Sequence, residues 1–467
     1  MGSWEEPPGA LLAVKSFFES AGPVFVARAP GRLDVMGGNV DYTGGLVLQS
    51  LLREAVWVAA QTRSDGRVRL FNPGATSYGW DSSFECLQTE TVDAEQIRVL
   101  CTRQESSRWA AFALGALHYL GRFHGACISG MDLFFASDLP PNRGVSSSAA
   151  LAVATLKAAS GAYGISLHGI ALATAAQWVE NVIAGAACGI MDQAAIVLGR
   201  SNHLLPLLCQ PCDPRPPLAL PPEIALWGID SMAPRATTGT AYEVARAAAF
   251  IAYKLICRWE GFAVIPDASS AIPRWTDARW SGYLSSLAPS EFRARYERRL
   301  PEVLCGGDAL ALIGEHADPF TAIHPELEYP IRGAAQYAVD ENFRVQTLYA
   351  IFQDGNWSRS ESTVRLAGEI LCQSHYAYSE CGLASPACDD LVARALAAGF
   401  PGAKMTGGGG GGVVAVLGHR HDHAAVERLA REYGAPREAV PHLFEGSSPG
   451  ADTYGVRRQL LSLDRLS

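Results

Sequence analysis

The sequence predicts an α+β protein of two domains with a cleft between them, and three observations carry that prediction. Short apolar runs of strand character alternate with helical-period segments through the first half. A stretch dense in proline, from Pro206 to Pro222, then interrupts the pattern. Beyond it a strand-like run restarts at Ile224 to Ile229, helical segments follow, and a last apolar run spans Gly412 to Leu417. In order, Val24-Phe25-Val26-Ala27 and Ala55 to Ala60 read as buried strands, and Val68 to Phe71 alternates as a half-buried one. Trp109 to Leu120 turns helical and Gly130 to Ala136 returns to strand. An alanine-rich helix is expected from Ser147 to about Ala158, and a second from His168 to Ala184 with Leu172, Ala176, Val179 and Ile183 on one face. The proline stretch divides the chain into residues 1–215 and 216–467, and a cleft between two such domains is a common ligand site.

Composition excludes several classes of function. With 467 residues, 48% of them hydrophobic, the chain can bury two cores. A formal charge of −9 argues against nucleic-acid binding, which needs a basic face. The apolar stretch from Ala236 to Ile256 is broken by Glu243, Arg246 and Lys254, against a membrane span. The acidic, proline-broken start fits neither a signal nor a transit peptide. Eleven scattered cysteines fit reduced thiols, and a cytoplasmic location is expected. Cys209-Gln210-Pro211-Cys212 has no second ligand pair at a zinc-site spacing and reads as a proline-bent loop. His419, His421 and His423 read as an exposed turn. Nothing in the sequence specifies an oligomeric state.

Four strings suggest chemistry. The first is Pro30-Gly31-Arg32, followed by Gly37-Gly38-Asn39-Val40-Asp41-Tyr42. The second, Gly144-Val145-Ser146-Ser147-Ser148-Ala149-Ala150, sets small hydroxyl residues at the start of a helix, where unpaired N–H groups favour a polyphosphate. Taken alone it fits a serine-capped helix equally well, and it is not a Walker A loop. In the third, Glu180 precedes Cys188-Gly189-Ile190-Met191-Asp192-Gln193, with Asp192 twelve residues after Glu180. The fourth, Lys404-Met405-Thr406-Gly407-Gly408-Gly409, continues through three more glycines into the apolar run from Val413. Those flanks place the glycines against a packed strand and not in a linker.

Together, in this order, the strings resemble the motifs of galactokinase-type sugar kinases of the GHMP superfamily, over about Val24 to Tyr454. Segments such as Ser374 to Leu383 and Glu445 to Ala451 are similar to the kinase domain of plant-type L-arabinokinases. The resemblance implies the two-domain GHMP kinase fold and a reaction between ATP and a small sugar, with Mg²⁺. It implies an ATP loop of Gly144, Val145, Ser146, Ser147, Ser148 and Ala149, a metal held by Ser148 and Glu180, and Asp192 as the group that orients and deprotonates the sugar hydroxyl. Arg32 would pair with Asp192 and offset charge on the transferring phosphoryl. Asp41, the backbone of Gly189, Tyr242 and the Gly38-Asn39 pair would contact the sugar. Thr406, Gly407, Gly408 and Gly409 would form the third motif.

Galactokinases carry Glu-His where this chain has Gly38-Asn39, and the change suits a sugar without a hydroxymethyl arm. The expected activity is phosphorylation of the anomeric hydroxyl of L-arabinose, with D-galactose the first alternative. Restoring Glu and His at 38 and 39 is expected to move preference toward galactose. A kinase-fold sensor that binds sugar and ATP without transfer is the reading from another class. Its usual losses, in the phosphate loop or the catalytic Asp, are not found in Gly144 to Ser148 or at Asp192.

Overall fold

The two longest strands, β1 (Gly22–Met36) and β2 (Leu46–Thr62), pair antiparallel and form the spine of the first sheet. Their Val, Ala and Leu content suits strands covered on both faces, and nearly every residue from Ala27 through Gln61 is buried. The computed structural model describes residues 17–18, 22–233, 240–267 and 274–461. Strands β3 (Arg67–Phe71), β4 (Ser83–Leu87) and β5 (Met131–Ser137) extend the sheet beyond the second half of β2. Strand β6 (His203–Leu208) pairs with its first half, and β7 (Asp213–Pro214) and β8 (Leu218–Ala219) add to β6. The second sheet consists of β9 (Ile224–Asp230), β10 (Gly402–Met405), β11 (Val413–His419) and β12 (Leu443–Phe444), in the order β10-β11-β9-β12. The chain then returns, and β13 (Val456–Leu461) pairs with β1 at the edge of the first sheet.

This pairing corrects the division at residue 215. The proline stretch is not a free linker: Pro206 lies within β6, and Leu218–Ala219 still pairs with it. The crossing to the second sheet falls between Ala219 and Ile224, and β13, assigned by the sequence to the second half, belongs to the first sheet. Pattern alone misses the return because β13 is short and pairs with a strand more than four hundred residues away.

Helices α1 (Ala94–Thr102), α2 (Ala110–His124), α3 (Ser147–Ala162), α4 (Gly169–Trp178) and α5 (Met191–Leu198) belong to the first half. Alanines bring α3 close to its neighbours, and Ala149 to Ser160 is buried apart from Leu151, against β1, β2, α2 and α4. The helix expected over 168–184 changes character partway. After α4 the residues Val179–Ile183 form one π turn, with Ala184 N–H bonded to the Val179 carbonyl at 3.0 Å and Ala186 N–H to Glu180 at 2.9 Å. The widened turn carries Glu180, and such turns often mark functional positions. Leu172, Ala176, Val179 and Ile183 all face the core. The second half supplies α6 (Thr240–Trp259), α7 (Ile331–Gln353), α8 (Glu361–Ala377), α9 (Pro386–Ala397) and α10 (His423–Gly434).

Asp34 on β1 joins the two sheets. Its carboxylate accepts from Gln49 Nε2 at 2.6 Å, from Lys404 Nζ at 3.2 Å and from the Gly407 N–H at 3.2 Å. Its backbone N–H donates to Thr406 Oγ1 at 2.7 Å, and the Thr406 hydroxyl donates to the Asp34 carbonyl. Asp34 and Lys404 are both fully buried. Removing one partner of such a pair strands a charge, so Lys404→Met is expected to lower unfolding free energy by about 3–5 kcal/mol. Urea denaturation of the variant checks this.

Candidate active site

A bulge sets the direction of the Arg32 side chain. The β1–β2 register shifts between Pro30 and Arg32, around Gly31, and the phosphate loop packs on the open face of that glycine. A Cβ at Gly31 would lie 3.0 Å from the Val145 carbonyl, and Arg32 N–H donates to that carbonyl at 3.1 Å. Arg32 is buried. Its Nε and Nη2 both donate to Asp192 Oδ1, at 2.9 and 2.7 Å, and Nη1 donates to the Gly144 carbonyl at 2.7 Å. Asp192 stands in the first turn of α5, and its Oδ2 accepts from the Ser146 hydroxyl at 2.5 Å.

Ser146 is thereby placed differently from the sequence expectation. It lies just before α3 in left-handed conformation (φ 61°), and its side chain serves Asp192. Ser147 and Ser148 open the helix, and Ser148 faces the same cavity as Glu180. Gln193 Nε2 donates to Glu180 Oε1 at 2.5 Å, and Asn181 Oδ1 accepts from the Cys188 N–H at 2.9 Å, so the 188–193 segment is pinned to the π turn. Burial, and then the charge of Asp192, push the Glu180 carboxyl up to about 7, against the hydrogen bond from Gln193.

This donor set fits magnesium. The ion prefers oxygen, takes one or two protein ligands and completes its shell with phosphate and water. Ser148 and Glu180 offer two oxygens on one wall, and Glu180 is a carboxylate held by the neutral Gln193. Among the described residues no cluster of three His, Cys, Asp or Glu side chains forms a metal cage. Cys209 and Cys212 are buried, and His419, His421 and His423 flank a short surface turn.

The cavity is lined by Arg32, Asn39, Asp41, Ser148, Glu180, the Ala186 to Gly189 segment, Met191, Asp192, Tyr242 and Gly408. Its walls therefore come from both halves of the chain. Asp41 packs directly on Gly189, where a Cβ would lie 2.0 Å from Oδ2; glycine is required there by the carboxylate itself. Burial, with the charge of Asp192 adding, pushes Asp41 up to about 6, while Arg246 opposes. Of the third motif, Gly408 lines the cavity, and Thr406 and Gly407 anchor the loop to Asp34. Gly409 instead packs against Leu383 and Tyr378.

Gly38 departs from expectation more sharply. It does not line the cavity. A Cβ there would lie 2.2 Å from both the Gly407 carbonyl and the Tyr378 hydroxyl, and its own carbonyl accepts from Tyr337 Oη at 2.7 Å. The Tyr378 hydroxyl in turn donates to the Gly407 carbonyl. The space a side chain at 38 would need is filled, so Glu and His cannot simply be restored at 38 and 39. Asn39 does face the cavity. It holds a left-handed conformation (φ 62°), which Asn tolerates better than most residues. Its Nδ2 donates to the Gly408 carbonyl at 3.0 Å, and among the described residues its buried Oδ1 has no hydrogen-bond partner.

A glycine turn feeding a helix N-terminus, a carboxylate gripped by arginine, and a second carboxylate beside a hydroxyl form an arrangement suited to phosphoryl transfer. Comparison with known proteins agrees. Residues 15–62 match the galactokinase galactose-binding signature, 111–200 the GHMP kinases N terminal domain and 360–435 the GHMP kinases C terminal domain. The chain is 34% identical to an L-arabinokinase of Arabidopsis thaliana over 93% of its own length, and spans about half (47%) of that protein. It is 30% identical to a galactokinase of Chloroflexus aggregans, covering 84% of this chain and 83% of that one. The structure of Lactococcus lactis galactokinase complexed with galactose shares the fold, with a TM-score of 0.72 at 21% identity over 96% of this chain and 99% of that one. The chain belongs to the GHMP kinases, in the group that contains the galactokinases and L-arabinokinase.

Because the space at Gly38 is occupied by backbone and by a hydrogen-bonded phenol, Gly38→Ala is expected to destabilise the fold by about 1–3 kcal/mol. It should also raise the sugar KM through displacement of Asn39. Thermal unfolding and steady-state kinetics of the variant check both effects.

Proposed function

We propose that the protein transfers the terminal phosphoryl group of ATP to the anomeric hydroxyl of L-arabinose, giving L-arabinose 1-phosphate and ADP. The observation that carries this reading is the Asp192 carboxylate, gripped by Arg32 on one oxygen and Ser146 on the other, at the wall of a cavity that also holds Ser148 and Glu180. Oδ1 is filled by the two Arg32 donors, while Oδ2, which accepts from Ser146 alone, keeps a lone pair for a substrate hydroxyl. Asp192 orients the C1 hydroxyl and takes its proton as the oxygen bonds to the γ-phosphorus and the bond to the β-phosphate oxygen breaks. Arg32, fixed by the Gly144 carbonyl, counters negative charge beside the transferring group. Backbone N–H groups at the start of α3 bind the phosphates. Ser148 and Glu180 would hold Mg²⁺, which would supply positive charge to offset that of the phosphates.

On the sugar side, Asp41, Tyr242 and the Gly189 backbone take the ring hydroxyls. Three features support a pentose over D-galactose. Position 38 can send no side chain into the cavity, Asn39 commits its amide nitrogen to Gly408, and the relative named L-arabinokinase matches over nearly the whole chain. The reading with D-galactose as substrate draws on the galactokinase relatives and on the general difficulty of rejecting one added group, which limits discrimination to about 1–3 kcal/mol.

Asp192→Asn is expected to lower kcat by about a hundredfold to ten-thousandfold while ATP still binds, the range associated with loss of a positioned base. Single-turnover kinetics with a nucleotide-binding titration check this, and near-normal kcat would remove Asp192 from the mechanism. With both sugars present, kcat/KM for L-arabinose is expected to exceed that for D-galactose by roughly tenfold or more. A clear preference for D-galactose in that competition would overturn the pentose assignment.

A further inference from the structure

Arg246 lies on α6, one turn beyond Tyr242, and only a few hundredths of its surface reaches solvent. Its Nε and Nη2 form a fork on Asp318, at 2.7 and 2.9 Å, and Asp318 is equally buried. Nη1 donates to the Ala187 carbonyl at 3.0 Å, in the segment that leads into Gly189. The guanidinium carbon sits 4.9 Å from the ring centre of Tyr42, the residue after Asp41, with Phe250 and Phe320 at 5.8 and 5.7 Å. One side chain thus touches the helix of Tyr242, the segment of Gly189 and the turn of Asp41, the three places where sugar hydroxyls are bound.

For stability alone, a buried ion pair returns little against its desolvation. Its charge has a specific recipient. Asp41 is faced by Asp192 from α5, Asp34 from β1, Cys209 after β6, the Tyr42 backbone and Arg246 from α6. Of these, Arg246 is the cation. Burial and the two other carboxylates all push Asp41 toward its protonated form, and Arg246 pulls the other way.

We propose that the Arg246–Asp318 pair is a positioning device for sugar recognition, holding the 187–189 backbone and the Tyr42 ring around Asp41 and keeping Asp41 a hydrogen-bond acceptor. The pair touches no reacting atom. Asp318, on a segment far from the four motifs, fixes the guanidinium so that its third edge points at Ala187. The proposal rests on the reading of Asp41 as a sugar ligand.

The test compares Arg246→Met/Asp318→Asn, Arg246→Lys and Asp41→Asn with the parent, using L-arabinose and ATP across pH 5 to 8. The double variant replaces both charges and so leaves no lone buried ion. It is expected to raise the sugar KM by about tenfold to a hundredfold, the scale of a lost positioning contact, with the ATP KM unchanged. The acid limb of kcat/KM for sugar should move up by on the order of one pH unit, because the protonated carboxyl no longer accepts and its proton is now harder to remove. Arg246→Lys keeps the charge and loses the fork, so it should raise KM without moving the acid limb. With Asp41→Asn in the background, the double change should cause no shift of that limb. A double variant with parental sugar KM and acid limb would overturn the proposal. If Asp41→Asn alone leaves the sugar KM and the acid limb as in the parent, the assignment of Asp41 itself falls, and the proposal with it.

Discussion

Buried negative charge is the constraint on which this cleft depends. Asp34, Asp41, Glu180 and Asp192 converge on one small region, and all but Asp192 are almost wholly withdrawn from water. A buried carboxylate persists only if it is paired, hydrogen-bonded or protonated. The fold answers each one differently. Asp34 is neutralised by Lys404 and joins the two sheets. Asp192 is paired with Arg32, which suits the chemical role proposed for it. Asp41 feels the charge of Arg246, which suits the proposed role in recognition. Glu180, held by the neutral Gln193, suits the proposed role of metal ligand. Roles follow from which counter-charge each carboxylate receives, a division the raised values of Asp41 and Glu180 reflect.

The same arrangement explains why one cavity is lined by residues from opposite ends of the chain. The Asp34 bonds to Lys404, Thr406 and Gly407 clamp the end of β1 to the loop after β10. Gly408 then lies over Asn39, while Tyr378 closes the space at Gly38. Because the contact is made by backbone and by a buried ion pair, the two halves meet at a fixed spacing. A side chain added at 38 would disturb the clamp before it reached a sugar.

Much of the site was legible because its chemistry is written in short strings. Arg32, Asp41, Ser148, Glu180, Gly189 and Asp192 lie within motifs whose residues meet in one cavity, and the helix-borne glutamate was visible from its twelve-residue offset to Asp192. What escaped belongs to long-range packing. Ser146 looks like any helix-opening serine until α5 brings Asp192 against it. Gly38 looks like open space until Tyr378, from α8's far end, fills it. Arg246 and Asp318 lie seventy-two residues apart with no shared string, and only a charged residue inside the apolar face of α6 hinted at a buried partner. The division at the proline stretch failed for a related reason: prolines at sheet edges do not stop β7 and β8 from pairing with β6.

The central claim is that Asp192 activates one particular hydroxyl, at the anomeric carbon of a pentose. Incubation of the protein with Mg²⁺, ATP and L-arabinose, followed by phosphorus and proton NMR of the product, tests it most directly. The account predicts one equivalent of ADP and a single sugar phosphate whose phosphorus couples to the anomeric proton. A product phosphorylated at any other carbon, or nucleotide turnover without sugar phosphate, would contradict it.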